Sequence, residues 1–206
     1  PHFLESGRAA ADALRAALLR VGRPIESAHE VLDFGCGCGR VLRHLTGMHD
    51  THVCGSDYNA KGIEWVRENL PWVTASVNEL KPPLPFADAS FDFVYALSVF
   101  THLPADLQSA WMAELHRVIR PDGILAISTM GAAYIDRLSL DERQRFQSGE
   151  IVTRENSYAG TNLCAAYHPN AAVSERLARG FRVIDFQARG AKGNVNQDQY
   201  LLQRDS

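Results

Sequence analysis

The sequence predicts an α/β fold, a mainly parallel sheet covered by helices on both faces. Two patterns carry that expectation. Short apolar segments alternate with amphipathic ones from residue 29 to residue 129, the rhythm of repeated strand–helix–strand units. The strand candidates are also apolar almost without a break, as at Val31-Leu32, Phe93-Val94-Tyr95 and Ile124-Leu125-Ala126-Ile127. A strand with one face in water would alternate instead.

Residues 4–21 place Leu4, Ala11, Leu14, Leu18 and Val21 at helical spacing, which predicts an N-terminal helix stopped by Pro24. HEVLDFG (29–35) reads as a buried strand running into glycines. RVLRHLTG (40–47) predicts the next helix, closed by Gly47. Strands follow at 51–57 and 73–78, around a helix over 59–70 with Asn59 as its N-cap. A proline-rich connection leads to a fourth strand at 91–98. A long helix over 104–119 is stopped by the turn Arg120-Pro121-Asp122-Gly123, and a fifth strand occupies 123–129. Over 131–169 the rhythm breaks. That segment mixes polar residues and aromatics with no clear period and is expected to form a cap. Two β segments, 181–189 and 198–204, flank a loop over 190–197. No repeat or linker divides the chain. One domain over 1–206 is expected, with an N-terminal helix in 1–28 and a cap insert at 131–169.

The 206 residues are 46% hydrophobic and 22% charged, ordinary globular usage. A chain of this length buries a full core without disulfide or metal staples. The net charge of -3 speaks against a nucleic-acid partner. Cys36, Cys38, Cys54 and Cys164 form no disulfide framework, which predicts reduced thiols and a cytoplasmic setting. No stretch is long and apolar enough to span a bilayer, and the N-terminus lacks the pattern of a signal peptide. The chain begins at Pro1 without methionine, as a segment of a longer polypeptide would. Cys36-x-Cys38 has no second Cys/His pair nearby, so no metal is expected. Trp65, Trp72 and Trp111 read as core, and His44, His49 and His52 as surface or structural.

The most informative stretch is VLDFGCGCGR, with the pattern Asp33-x-Gly35-x-Gly37-x-Gly39. Glycines after a strand let the chain turn sharply and let a ligand approach the main chain. A dinucleotide loop would carry a third glycine where Arg40 stands. The acid two residues before the first glycine suits a cationic ligand, because a buried carboxylate needs such a partner. Asp57 closes the second strand, where a carboxylate can accept from both hydroxyls of a ribose. Tyr58 beside it is placed to lie against a base.

Further along stand Asn78-Glu79, then Leu84-Pro85-Phe86, Asp88 and Ser90-Phe91-Asp92, then ELHRVIRPDGILAIST at 114–129. In this order, over residues 29–129 and about half of the chain, the sequence resembles class I methyltransferases that use S-adenosylmethionine (SAM). The resemblance implies a Rossmann-like, doubly wound, seven-stranded sheet of order 3-2-1-4-5-7-6 with its last strand antiparallel. It implies SAM as cofactor. Asp33, Gly35, Cys36, Gly37 and Gly39 would hold the methionine part and Asp57 the ribose. Tyr58, Asn78 and Glu79 would surround the adenine, and Leu97 and Ser98 would lie near the methyl donor. Many relatives have Asp at the position of Asn78; the amide oxygen can still accept the adenine N–H. In the tail, Ala165-Ala166-Tyr167-His168-Pro169, Gly180-Phe181 and Gln197-Asp198 resemble a subgroup found beside glycosyltransferases or in sugar and natural-product tailoring.

The implied activity is methyl transfer to a small-molecule or sugar-type acceptor. An oxygen nucleophile needs a base, and His102 follows the fourth strand, where the methyl should point. Tyr134, Tyr167 and His168 of the insert are the candidates for the acceptor pocket. An NAD(P)-dependent oxidoreductase on a similar sheet is the alternative enzyme, opposed by Arg40. A non-catalytic SAM-binding scaffold differs from the main reading in turnover alone.

Overall fold

The computed structural model describes residues 2–48, 50–193 and 195–205. Pro1, His49 and Asn194 of the expected loop 190–197 lie outside the described residues. Five strands run parallel: β1 (Glu30–Phe34), β2 (His52–Asp57), β3 (Val73–Val77), β4 (Phe91–Ala96) and β5 (Ile119–Thr129). β6 (Val152–Arg154) and β7 (Ala165–Tyr167) form a small separate sheet. β8 (Phe181–Ala191) and β9 (Gln197–Arg204) complete the large one. Its order is β3-β2-β1-β4-β5-β9-β8, with β9 antiparallel to both neighbours. Counted without β6 and β7, this is the expected 3-2-1-4-5-7-6. The helices are α1 (His2–Arg20), α2 (Ala60–Asn69), α3 (Ala105–Val118), α4 (Leu140–Gln147) and the single turn α5 (Asn170–Ala172). None of the described helices is long and apolar enough to cross a membrane.

The unbroken apolar strands are explained by what covers each face. Successive residues of a strand point to opposite sides. Val31, Phe93 and Ile124 pack against Leu14 and Leu18 of α1. Their neighbours Leu32, Val94 and Leu125 pack against Trp111 and Leu115 of α3. Each such side chain contributes roughly 1.5–3 kcal/mol by leaving water, and neither face can be polar.

Several expectations need correction. RVLRHLTG forms only a 3-10 turn, Leu42–His44. Arg43 donates from Nε to the Gly39 carbonyl and from Nη2 to the Cys38 carbonyl, both at 2.9 Å, engaging acceptors that a helix would offer to its own N–H groups. α1 also passes so close that a Cβ on Gly7 would come within 2.0 Å of the Arg40 carbonyl oxygen. α1 is ended by Gly22 before Pro24 is reached: Gly22 (φ +70°) and Arg23 donate to Leu19 and Leu18, a Schellman closure. Leu4 is exposed on that helix, as is Trp72 after α2. The turn at 120–123 is absorbed into β5 as an irregularity opposite Phe91–Phe93. The insert is ordered: α4 begins with a capping box in which Ser139 and Glu142 satisfy each other's backbone N–H groups, a pairing the Ser-x-x-Glu spacing announces.

Candidate functional site

The carboxyl ends of β1 to β5 open into a cavity of about 590 Å³, the rim where open α/β sheets bind ligands. Asp33, Gly35, Cys36, Gly37, Asp57, Tyr58, Asn78, Glu79, Leu97, Ser98 and His102 all line it.

Three glycines shape the first wall for different reasons. A Cβ on Gly35 would strike Val99 at 2.4 Å, and one on Gly39 would meet Leu70, just past α2, at 2.7 Å. At Gly37, with φ +55°, a Cβ would meet nothing within 4 Å. That position leaves open space where a side chain would stand. Gly39 supports the loop from behind. Cys36 contributes backbone to the cavity, while its thiol is buried close to Gly55. Burial, with Asp33 and Asp57 adding to it, pushes that thiol far above its ordinary range.

Asp33 and Asp57 are differently placed. Asp57 accepts from Gly37 N–H at 2.7 Å and from Asn59 N–H at 2.8 Å. It therefore fixes the glycine loop and the turn into α2 while facing the cavity. Asp33 is 4% exposed, with no cationic side chain within 4.0 Å among the described residues. Burial raises its carboxyl to about 7, against the opposing pull of the Tyr95 hydroxyl and Arg40. Asn78 donates from Nδ2 to the Glu79 carbonyl at 2.7 Å and accepts from the Ser56 hydroxyl at 2.6 Å. The carbonyl contact fixes the amide, and Oδ1 keeps a second lone pair.

Ser98 sits in the left-handed region at φ +60°. Its N–H donates to Ser128 Oγ at 2.8 Å, and both serine hydroxyls donate to Gln197 Oε1, at 3.1 and 2.6 Å. Ser128 and Gln197 also line the cavity. Sequence reasoning missed both as site residues, although Gln197 lay in the Gln-Asp pair before the last strand.

His102 lies in a 3-10 turn, Phe100–His102, between β4 and α3. Its Nδ1 meets the Cys164 carbonyl at 2.8 Å. A carbonyl can only accept, so Nδ1 carries a proton and Nε2 is the basic nitrogen of the neutral ring. The turn is held from behind by Gln108. That side chain is fully buried and donates to the carbonyls of Phe100 and Leu103 at 3.1 and 2.7 Å. No sequence motif announces it.

The insert reaches the cavity through other residues than those expected. Tyr134, Tyr167 and His168 do not line it. Tyr167 is 4% exposed in a cluster with Met130, Leu138, Phe146 and Val152. Tyr134 packs at the edge of that cluster and donates to the Asn196 carbonyl at 2.9 Å. His168 is fully buried against Gln108 Oε1 at 3.0 Å, and burial lowers its pKa to about 3. Tyr134 and Tyr167 belong to the insert's own core and His168 docks the insert onto α3, because aromatics in a short segment are the groups available to bury. The insert meets the cavity instead through Arg137, Gly160 and Asn162, beside Met130 just before it. Gly160 closes the arrangement: its N–H donates to the His102 carbonyl and its carbonyl accepts from the Tyr58 hydroxyl, both at 2.7 Å.

The family model described as a methyltransferase domain matches residues 32–127. The O-methyltransferase rstn1 of Aspergillus nomiae is 29% identical over 161 residues, 76% of this chain and 65% of that protein. Sterol 24-C-methyltransferase ERG6B of Gibberella zeae is 33% identical over 108 residues, 50% of this chain and 28% of that protein. The chain thus spans less than two thirds of the length of either relative. Among solved structures, a SAM-dependent methyltransferase of Methanosarcina mazei superposes with a TM-score of 0.67 at 20% identity, covering 91% of this chain and 97% of that one. The 1,6-didemethyltoxoflavin-N1-methyltransferase of Burkholderia thailandensis, solved with S-adenosylhomocysteine, gives 0.67 at 19% identity, covering 96% and 79%. At such identities the superpositions show the fold alone. The methyltransferase-domain match thus falls on the strands that carry the glycine loop, and the chain has the fold of these SAM-dependent methyltransferases.

Proposed function

We propose that this protein transfers the methyl group of SAM to a small-molecule acceptor in the cavity above β4 and β5. The observation that carries the reading is Asp33, a carboxyl buried beside the glycine loop, with no ion pair among the described residues and its burial offset only in part by Arg40. An uncompensated buried carboxylate is costly, and an ammonium supplied by a ligand removes the cost.

The residues fit the cofactor. Asp33 and the Gly35–Cys38 main chain would hold its amino-acid end and Asp57 its ribose, with Gly39, expected to hold the methionine part, supporting that loop from behind. Asn78, with Tyr58 and Glu79, would border its adenine, and Leu97 and Ser98 the reacting end. When bound, SAM supplies a methyl carbon made electrophilic by a sulfonium. The protein's part is alignment and proton removal. The Ser98–Ser128–Gln197 network fixes the wall at the end of β4. His102, oriented by Cys164 and Gln108, accepts the acceptor's proton at Nε2. Residues 131–169 act as the cap that excludes water, with Gly160 as the pinned point over the cavity.

Calorimetry with S-adenosylhomocysteine and with NADH tests the donor, and labelled SAM with an acceptor panel tests turnover. Binding of NADH in preference to S-adenosylhomocysteine would overturn the reading, and donor binding with no transfer would leave a scaffold. We also place the protein in the cytoplasm, on the strength of its four free thiols, three of them buried. Cell fractionation checks that placement.

A further inference from the structure

We propose that the acceptor carries an anionic group, a carboxylate or a phosphate, held at the cavity mouth by Arg137 and Lys192. The inference rests on the methyltransferase reading and adds the acceptor's chemical class.

The charged residues of the cavity are sorted by side. Asp33, Asp57 and Glu79 line it at the ends of β1, β2 and β3. Arg137 and Lys192 line it from the opposite side, after β5 and after β8. Arg40 lies between the two sides: it acts on Asp33, and a Cβ on Gly193, next to Lys192, would stand 3.2 Å from its guanidinium. A cationic donor is answered by the acids, and the bases are left without a counterpart.

Neither base is neutralised within the protein. No carboxylate lies within 4.0 Å of Arg137 or Lys192 among the described residues. The Arg137 guanidinium lies over the Tyr134 ring, 4.9 Å from its centroid. Its carbonyl accepts from Arg154 at 3.0 Å, so the residue is held while its own N–H groups stay available. Lys192 Nζ spends one donor on the Arg189 carbonyl at 2.8 Å and keeps two. Tyr134 joins the two segments, because its hydroxyl donates to Asn196 in the β8–β9 connection. An anion in the cavity can take charge-assisted hydrogen bonds from the N–H groups that each base leaves available.

The test uses protein saturated with S-adenosylhomocysteine and three probes of similar size: 4-hydroxybenzoate, phenyl phosphate and 4-hydroxybenzamide. At least one anion is expected to bind about tenfold tighter than the neutral amide, the scale of one charge-assisted contact. Whichever anion prevails identifies carboxylate or phosphate. The double variant Arg137→Gln/Lys192→Gln should abolish the preference and leave S-adenosylhomocysteine affinity within about twofold. Equal binding of anion and amide, no binding of either anion up to about 10 mM, or a preference retained in the double variant would each overturn the proposal. Failure of S-adenosylhomocysteine itself to bind strikes the function reading, so the two failures are separable.

Discussion

The two halves of the cavity are built on different plans. The half proposed to hold the donor, above β3, β2, β1 and β4, is made of main chain and short side chains at or just past the strand ends: Gly37, Asp57, Asn78, Ser98. The acceptor half is made of longer side chains delivered by the insert and the β8–β9 connection. In the first, strand ends set the geometry. In the second, hydrogen bonds between distant segments set it, such as His102 to Cys164, 62 positions apart. The donor half should therefore respond to substitution in ligand affinity, and the acceptor half in turnover and local order.

The largest expected effect falls at the seam. His102→Ala should lower the methyl-transfer rate to an oxygen acceptor by about 10²–10⁴-fold with donor affinity unchanged. Single-turnover kinetics with labelled SAM reads this, and an unchanged rate removes His102 as the base. Next, Asp57→Ala should weaken S-adenosylhomocysteine binding by about 1.5–3 kcal/mol, because it strips acceptors from the ribose site and from Gly37. Unaltered affinity by calorimetry would take Asp57 out of the site.

Asp33 gives a pH signature. Its carboxyl, raised by burial to about 7 in the folded protein, holds a proton that the unfolded chain releases near pH 4. In the absence of ligand, stability is therefore full below about pH 4 and declines as pH rises toward 7. A cationic ligand selects the ionised form, so donor affinity should rise about tenfold from pH 6 to pH 8. Asp33→Asn should flatten that profile, and a profile that keeps its slope assigns the titration elsewhere. The smallest effect is on the cap. Tyr58→Phe removes the bond to Gly160, worth about 0.5–1.5 kcal/mol. Hydrogen exchange over 159–163 should speed up while donor affinity barely changes. Protection that stays intact there means the strap does not depend on Tyr58.

The same division explains what the chain disclosed before folding. Strand order, the loop glycines and the acids at the strand ends depend on local backbone geometry, and a glycine at positive φ or an acid ending an apolar run is visible in one dimension. Tyr134, Tyr167 and His168 misled because an aromatic-rich irregular segment looks like a binding surface when its partners are unknown. Those partners include Gln108, 60 positions from His168. Arg137 and Lys192 had no signal at all, since an exposed base beside a loop is ordinary surface until a cavity lies next to it. The expected helix at 40–47 shortens to a 3-10 turn for a related reason: α1 packs against its start at Arg40.

Because β9 runs antiparallel between β5 and β8, the hairpin joining β8 to β9 returns to the same rim as the ends of the parallel strands. Lys192 and Gln197 are there only because of that reversal. Both flanks of the hairpin are pinned by strand pairing, Ala191 to Gln197 and Thr129 to Asp198. A change in its length is thus absorbed at the tip, without shifting the register of the sheet. The fold thereby holds an adjustable finger over one end of a fixed socket. On the proposed function, acceptor choice would drift by insertion or deletion at 192–196 while the proposed donor pocket, some 130 or more positions earlier in the chain at Asp33–Asp57, is left as it was.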